Sequence, residues 1–223
     1  MKRIFLVGLI ALMAFVPQKR SRVIFFGDSI TELAVKPGGF IILIDSICKT
    51  ENKSDQYEFI GSGVSSNKIY DLYLRLETDV LNKNPDIVII FIGVNDVWHK
   101  RLLGTGTDPD KFEKFYQAII DKIKSKGSKI IICTPAVIGE KTDQTNEQDG
   151  DLNRYCVIIR GLAQKNNLPL IDLRQKFLDY GKANNPQNLE KNILTYDRVH
   201  LNDMGNQLVA GEMWSALKKL YAK

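Results

Sequence analysis

Six consecutive apolar residues, Ile87-Val88-Ile89-Ile90-Phe91-Ile92, constrain the fold more than any other stretch of this 223-residue chain. The run is mostly β-branched, is bounded by Pro85-Asp86 and Gly93, and is too short for a helix, so it predicts a strand buried on both faces. Such a strand belongs in the middle of a parallel sheet with helices on either side. Lys129 to Cys133 repeats the pattern, and Val23 to Phe26, Tyr57 to Ile60 and Pro169 to Ile171 are shorter versions. Helical spacing fills the intervals. Lys68 to Leu81 places Ile69, Leu72, Leu76 and Val80 three and four residues apart, one apolar stripe on a polar helix. Gly38 to Lys49, Pro109 to Lys126, Asp151 to Lys165, Asp172 to Tyr180 and Leu201 to Tyr221 read as further helices. Strands alternating with helices predict an α/β domain with right-handed crossovers and a parallel sheet between two helical layers. No internal repeat or linker divides it.

Two segments resist this pattern. Trp98, His99 and Gly104-Thr105-Gly106-Thr107 read as a loop, and Thr134 to Gly150 as a long polar loop of the kind that more often serves function than not. The acids Glu140, Asp143, Glu147, Asp149 and Asp151 do not follow a calcium-loop pattern. They are expected to be solvated or to cap helices, with substrate contact as the lesser reading.

Met1-Lys2-Arg3 followed by apolar residues 4–16 has the charged start and short hydrophobic middle of a secretory signal. Residues 1–18 are therefore expected to direct export, to a periplasmic or secreted location, with residues 19–223 as one domain; an uncleaved N-terminal anchor is the alternative. Removing Lys2 and Arg3 leaves 29 basic against 26 acidic residues and lowers the net charge from +5 to +3. No dense Lys/Arg block with interleaved aromatics is present, so nucleic acid is not an expected partner. Cys48, Cys133 and Cys156 lack metal-binding spacing and read as buried apolar residues, although Cys48 or Cys156 could pair after export.

The chemistry collects at strand ends. Gly27-Asp28-Ser29 follows the first strand, Gly61-Ser62-Gly63 the second, and Gly93-Val94-Asn95-Asp96 the central one. In a parallel sheet these ends share one edge, where ligands bind. Asp28 and Ser29 also suit a helix start, and that reading stands beside the functional one. Lys68 does not complete a phosphate loop, because Asn67 stands where a glycine is required. A serine nucleophile needs a base, and the chain has two histidines, His99 and His200. His200 lies three residues after Asp197, a spacing that lets a turn carry the carboxylate to the imidazole. His99 has no such neighbour and reads as a substrate contact or surface residue.

Gly27-Asp28-Ser29, Gly63, Gly93-Val94-Asn95-Asp96 and Asp197-Arg198-Val199-His200 resemble, in order, the four signature blocks of the SGNH (GDSL-type) hydrolases. The resemblance runs from Val23 to the terminal helix. It implies a flavodoxin-like three-layer α/β/α sandwich and hydrolysis of acyl or acetyl esters without metal or organic cofactor. It further implies Ser29 as nucleophile, His200 as base and then acid, and Asp197 as its partner. The oxyanion hole would comprise the backbone N–H groups of Ser29 and Gly63 and the side-chain amide of Asn95, with Asp28 and Asp96 shaping the turns. The second block departs from the family pattern: Gly61-Ser62 precedes Gly63 and Ser65-Ser66 follows, so either glycine is a possible donor, with Gly63 the better fit. Trp98 and Tyr196 offer stacking surfaces for a sugar, which favours O-acetyl groups on carbohydrate as substrate. A lysophospholipase or short-chain lipolytic esterase is the competing enzyme. A non-catalytic carbohydrate-binding or scaffold protein on the same fold is the alternative outside enzymes.

Overall fold

The computed structural model describes residues 19–220; the expected signal at 1–18 and Tyr221 of the terminal helix lie outside them. Five strands, β1 (Ser21–Gly27), β2 (Tyr57–Gly63), β3 (Ile87–Phe91), β4 (Lys129–Cys133) and β5 (Leu170–Ile171), form one sheet in the order β2-β1-β3-β4-β5. Every pairing is parallel. The register puts Gly63, Gly27, Phe91, Cys133 and Ile171 in one row across the sheet. Whatever follows these five residues emerges along a single edge.

Among the described residues six α-helices lie between strands, α1 (Ser29–Leu33), α2 (Phe40–Thr50), α3 (Ile69–Asp79), α4 (Val94–Leu103), α5 (Pro109–Ser125) and α6 (Asp149–Asn166), and two follow β5, α7 (Leu173–Asn184) and α8 (Asp203–Lys219). Their two layers can be read from adjacent residues of β1, whose side chains must point to opposite faces. The Phe25 ring meets Phe40 of α2 edge-on, whereas Phe26 lies under the guanidinium of Arg75 on α3. On the first face α2 packs on α8; on the second α3 packs on α5 and α5 on α6. All five residues of β3 are buried, as a strand covered on both faces requires. Burial of each such Ile or Val contributes about 1.5–3 kcal/mol before chain entropy is counted. The result is the α/β/α sandwich expected from the alternation of elements.

Three details differ from the sequence expectations. Residues 94–103 are helix α4, not loop. The loop after β4 is polar only in its second half, because Thr134, Ala136, Val137, Ile138 and Glu140 are buried. Cys48, Cys133 and Cys156 are all buried free thiols, so neither Cys48 nor Cys156 is paired.

Candidate active site

The nucleophile candidate sits where β1 turns directly into α1. Asp28 caps that helix: its side chain accepts a hydrogen bond from Ile30 N at 3.0 Å, and its carbonyl accepts the first helical bond, from Glu32 N at 2.9 Å. Ser29 is therefore the first helical residue, its side chain lifted beyond the sheet edge. Its Oγ lies 2.9 Å from His200 Nε2.

His200 is delivered by a tight turn. One carboxylate oxygen of Asp197 accepts hydrogen bonds from the backbone N–H groups of Val199 (3.1 Å) and His200 (2.7 Å), while the other lies 2.7 Å from His200 Nδ1. The aspartate thus both folds the turn and orients the ring it folds into place. Arg198 takes a left-handed φ of 88° at the bend, and Tyr196 N donates to His200 O to close it. Burial raises the Asp197 pKa, but the hydrogen bonds from the His200 ring and from backbone outweigh it, so the net shift is downward. An ionised Asp197 holds the proton of His200 on Nδ1 and leaves the Nε2 lone pair to accept from Ser29 Oγ.

Two residues of the loop after β4 hold this turn, one of them an acid that the sequence reading left solvated or capping a helix. Gly139 N donates to Arg198 O at 2.9 Å, and the buried carboxylate of Glu140 accepts from Leu194 N (2.7 Å) and Ile193 N (3.0 Å). Glu140 is consequently neither solvated nor a helix cap. Burial raises its pKa, as expected of a carboxyl enclosed by the chain. Asp149 is likewise engaged, pairing at 2.8 Å with the almost wholly buried Arg174.

The third strand end contributes α4. Gly93 precedes it with φ 123°, a conformation open to glycine and strained for other residues. Asn95 is buried near the start of the helix, and its amide donates to Asn67 O at 3.2 Å. Asp96 reaches out of its own turn and accepts from Ile69 N, the first residue of α3, at 3.1 Å. Together these contacts bind the start of α4 to the segment after β2. Asp28 and Asp96 are both enclosed, and burial pushes each carboxyl up to about 7, with the charge of Asp96 adding to the rise at Asp28.

Asn95, Trp98 and His99 lie three and four residues apart and so share one side of α4. The Trp98 ring meets His200 edge-on at 6.2 Å and His99 at 5.4 Å; on another side of His200, the Tyr196 ring stacks at 5.7 Å with planes 16° apart. His99 is buried, not a surface residue, and its Nδ1 has no hydrogen-bond partner among the described residues. Burial and the nearby Lys68 ammonium lower its pKa, which keeps it neutral near pH 7.

Gly63 ends β2 beside Gly27 and packs on α1 so closely that a Cβ there would stand 2.0 Å from Glu32 N and 2.7 Å from Asp28 O. Gly61 lies two residues deeper, paired with Phe25, and a Cβ there meets the side chain of Val35. Only Gly63 is at the edge that carries Ser29. Arg75 draws these pieces together: its guanidinium donates to Gly27 O (2.7 Å), Ser62 O (3.2 Å), Asn67 Oδ1 (2.6 Å) and Asp79 (2.8 Å). No sequence motif marked Arg75, because its apolar stem sits on an otherwise ordinary amphipathic helix.

Residues 25–208 match the GDSL-like Lipase/Acylhydrolase family. The chain belongs to that family. It is a carboxylic-ester hydrolase. An acetylxylan esterase from Geobacillus stearothermophilus is 26% identical over 207 residues, covering 85% of this chain and 90% of the relative. The crystal structure of the acetyl xylan esterase AlAXEase is 62% identical, with a TM-score of 0.87 over 88% of this chain and 99% of that one. An α/β hydrolase from the metagenome of Lake Arreo, Spain, shares the fold at 23% identity and a TM-score of 0.78, over 91% of this chain and 97% of that one.

Proposed function

We propose that this esterase removes acetyl groups from carbohydrate through an acyl-enzyme on Ser29. The observation that carries the reading is the continuous hydrogen-bond chain from Ser29 Oγ through His200 to Asp197 at the carboxyl edge of the sheet. His200 Nε2 takes the Ser29 proton as Oγ bonds to the ester carbonyl carbon, and the carbonyl electrons move onto oxygen. The backbone N–H groups of Ser29 and Gly63 and the amide of Asn95 receive that oxyanion. Collapse breaks the bond to the alcohol, whose oxygen takes the proton from His200. Water then repeats the sequence on the acyl-enzyme: His200 accepts its proton, and acetate leaves as Ser29 Oγ is reprotonated. Asp197 stays ionised throughout and stabilises the imidazolium.

The acetylated-carbohydrate assignment is supported by the 62% identical acetyl xylan esterase and by the Tyr196 and Trp98 rings that flank His200. Aromatic faces suit the C–H surface of a sugar ring. The charged and apolar N-terminal run supports export, where such a polymer would be met. The test is release of acetate from acetylated xylan, and of chromophore from an aryl acetate, by wild type and by Ser29→Ala with unchanged circular dichroism. Both activities are expected in the wild type and neither in the variant. Retained turnover by Ser29→Ala would remove the nucleophile, and hydrolysis confined to long-chain esters would replace the carbohydrate substrate with a lipid.

A further inference from the structure

The proton bookkeeping of the reaction gives the two halves of the substrate different places. The acyl oxygen must face Asn95 and Gly63, whereas the alcohol oxygen must take a proton from His200 Nε2 and therefore lies on the imidazole side. Tyr196 continues that side: its ring stacks on His200 and is half exposed. Beyond it opens a cavity of about 720 Å³ between the α1–α2 connection, the segment before Tyr196 and the first turn of α8. That volume is within the usual range for small-molecule sites, about 300–1,000 Å³.

The lining has a consistent chemistry. Leu33, Tyr196 and Met204 expose apolar surface into it, and Lys36, Asn192, Asp203 and Gln207 bring polar groups, one of each charge sign among them. Asn202 and Asn206 also reach the cavity but are committed to the fold, the first capping α8 through Gly205 N and the second accepting from Phe40 N and donating to the carbonyls of Leu201 and Asn202. The side chains of Lys36, Asn192 and Gln207 have no such commitment among the described residues. Apolar patches beside two uncommitted amides, with the Lys36 ammonium and the Asp203 carboxylate offsetting each other in charge, match a neutral ligand with apolar C–H faces and many hydroxyls. A fatty chain would instead require a continuous apolar lining.

We infer that this cavity is a subsite for the sugar chain on the alcohol side of the ester, binding neutral pyranose units that neighbour the acetylated one. The inference rests on the proposed carbohydrate substrate and adds to it a direction and a set of contacts. Tyr196 joins the subsite to the reacting bond, while Leu33, Asn192 and Gln207 hold units further along the chain.

The experiment compares acetylated xylo-oligosaccharides of increasing length with an aryl acetate, in wild type and in the Asn192→Gly/Gln207→Ala double variant, glycine being used at 192 because that residue takes a left-handed φ of 73°. Both substitutions are at exposed positions, and a second variant, Leu33→Asp, tests the apolar wall. For the wild type, kcat/KM is expected to rise with chain length, chiefly through KM. The double variant loses about tenfold on the longer oligosaccharides, the value of two modest hydrogen bonds, while its aryl acetate hydrolysis stays within about twofold. A length dependence unchanged in both variants would overturn the subsite and leave the acetylated-carbohydrate reading standing. Hydrolysis of aryl acetate with none of any acetylated sugar would overturn that reading and the subsite with it.

Discussion

Gly63→Ala tests how tightly the nucleophile turn depends on the strand beside it. A Cβ at this position falls 2.0 Å from Glu32 N, 2.5 Å from Thr31 C and 2.7 Å from Asp28 O. Ordinary contact begins near 3.4 Å, so about 1.4 Å of overlap with backbone must be relieved. No side chain can rotate away; either the end of β2 or α1 has to move. If the displacement is shared equally, the turn that carries Ser29 shifts by about 0.7 Å relative to His200, and a misplacement of about 1 Å costs on the order of 10²-fold in rate. Overpacking of this kind destabilises by about 1–3 kcal/mol. Gly61→Ala is the control, because its Cβ meets Val35 Cγ1 at 2.4 Å, the tip of a side chain with 43% exposure. Urea unfolding and aryl acetate kinetics on both variants separate the effects. Gly63→Ala is expected to lose about 10²-fold in kcat while still folded, and Gly61→Ala to keep activity within severalfold. A Gly63→Ala protein with wild-type kcat would refute the claim that α1 and the β2 end are in rigid register.

Two further substitutions probe charge. Asp197→Asn should lower kcat by up to about 10⁴-fold, because an amide donor at Nδ1 favours the tautomer that cannot accept from Ser29; activity within tenfold of wild type would mean that another group orients His200. Asp28→Asn bears on stability against pH. The folded carboxyl, raised to about 7 by burial, binds more protons than the unfolded one, whose pKa is near 3.9, between about pH 4 and pH 7. Its contribution therefore declines as pH rises through that window and levels off above about 7. The asparagine keeps the acceptor for Ile30 N and removes the titration, so its stability relative to wild type should improve from pH 5 to pH 8. Urea midpoints for both proteins at each pH read this out; a difference that does not change with pH would show that Asp28 titrates alike in both states.

The sheet was legible because a strand buried on both faces leaves an unbroken apolar run, as Ile87 to Ile92 shows. Helix α4 was not, for a physical reason. It starts directly after the strand with no polar cap of its own, and Val94, Asn95, Asp96, Val97 and His99 are all buried, so no polar-apolar stripe marks it. The glycine and threonine run that follows reads as loop, and it is loop, but the helix before it is hidden. The positions of Ser29, Asn95, Asp197 and His200 could be inferred from the motif blocks because each block sits at a strand edge or in one tight turn. Glu140 and Arg75 escaped because the contacts that clamp the site, Glu140 to Ile193 and Leu194 and Arg75 to Gly27 and Ser62, join groups more than ten residues apart, and nothing local in the sequence distinguishes the two from solvated charges.

That division has a mechanical origin. The site lies at β1 and β3, the point where the strand order 2-1-3-4-5 reverses direction, so the two connections leaving these strands run to opposite faces and open a crevice between them. Opening it separates the segments that must act together. Ser29 and Asn95 leave adjacent strands on α1 and α4, and His200 arrives more than a hundred residues later on a turn that belongs to neither. Local sequence can shape each piece, as Asp28 shapes the serine turn and Asp197 the histidine turn, but it cannot set the distance between pieces. Arg75 does so on one flank by tying the ends of β1 and β2 to Asn67, whose carbonyl receives the Asn95 amide. Glu140 and Gly139 do so on the other by tying the loop after β4 to residues 193–198. The 2.9 Å contact between Ser29 and His200 is therefore the joint product of two local turns and two remote clamps. Loosening either clamp should harm catalysis by misplacing groups whose own chemistry is intact.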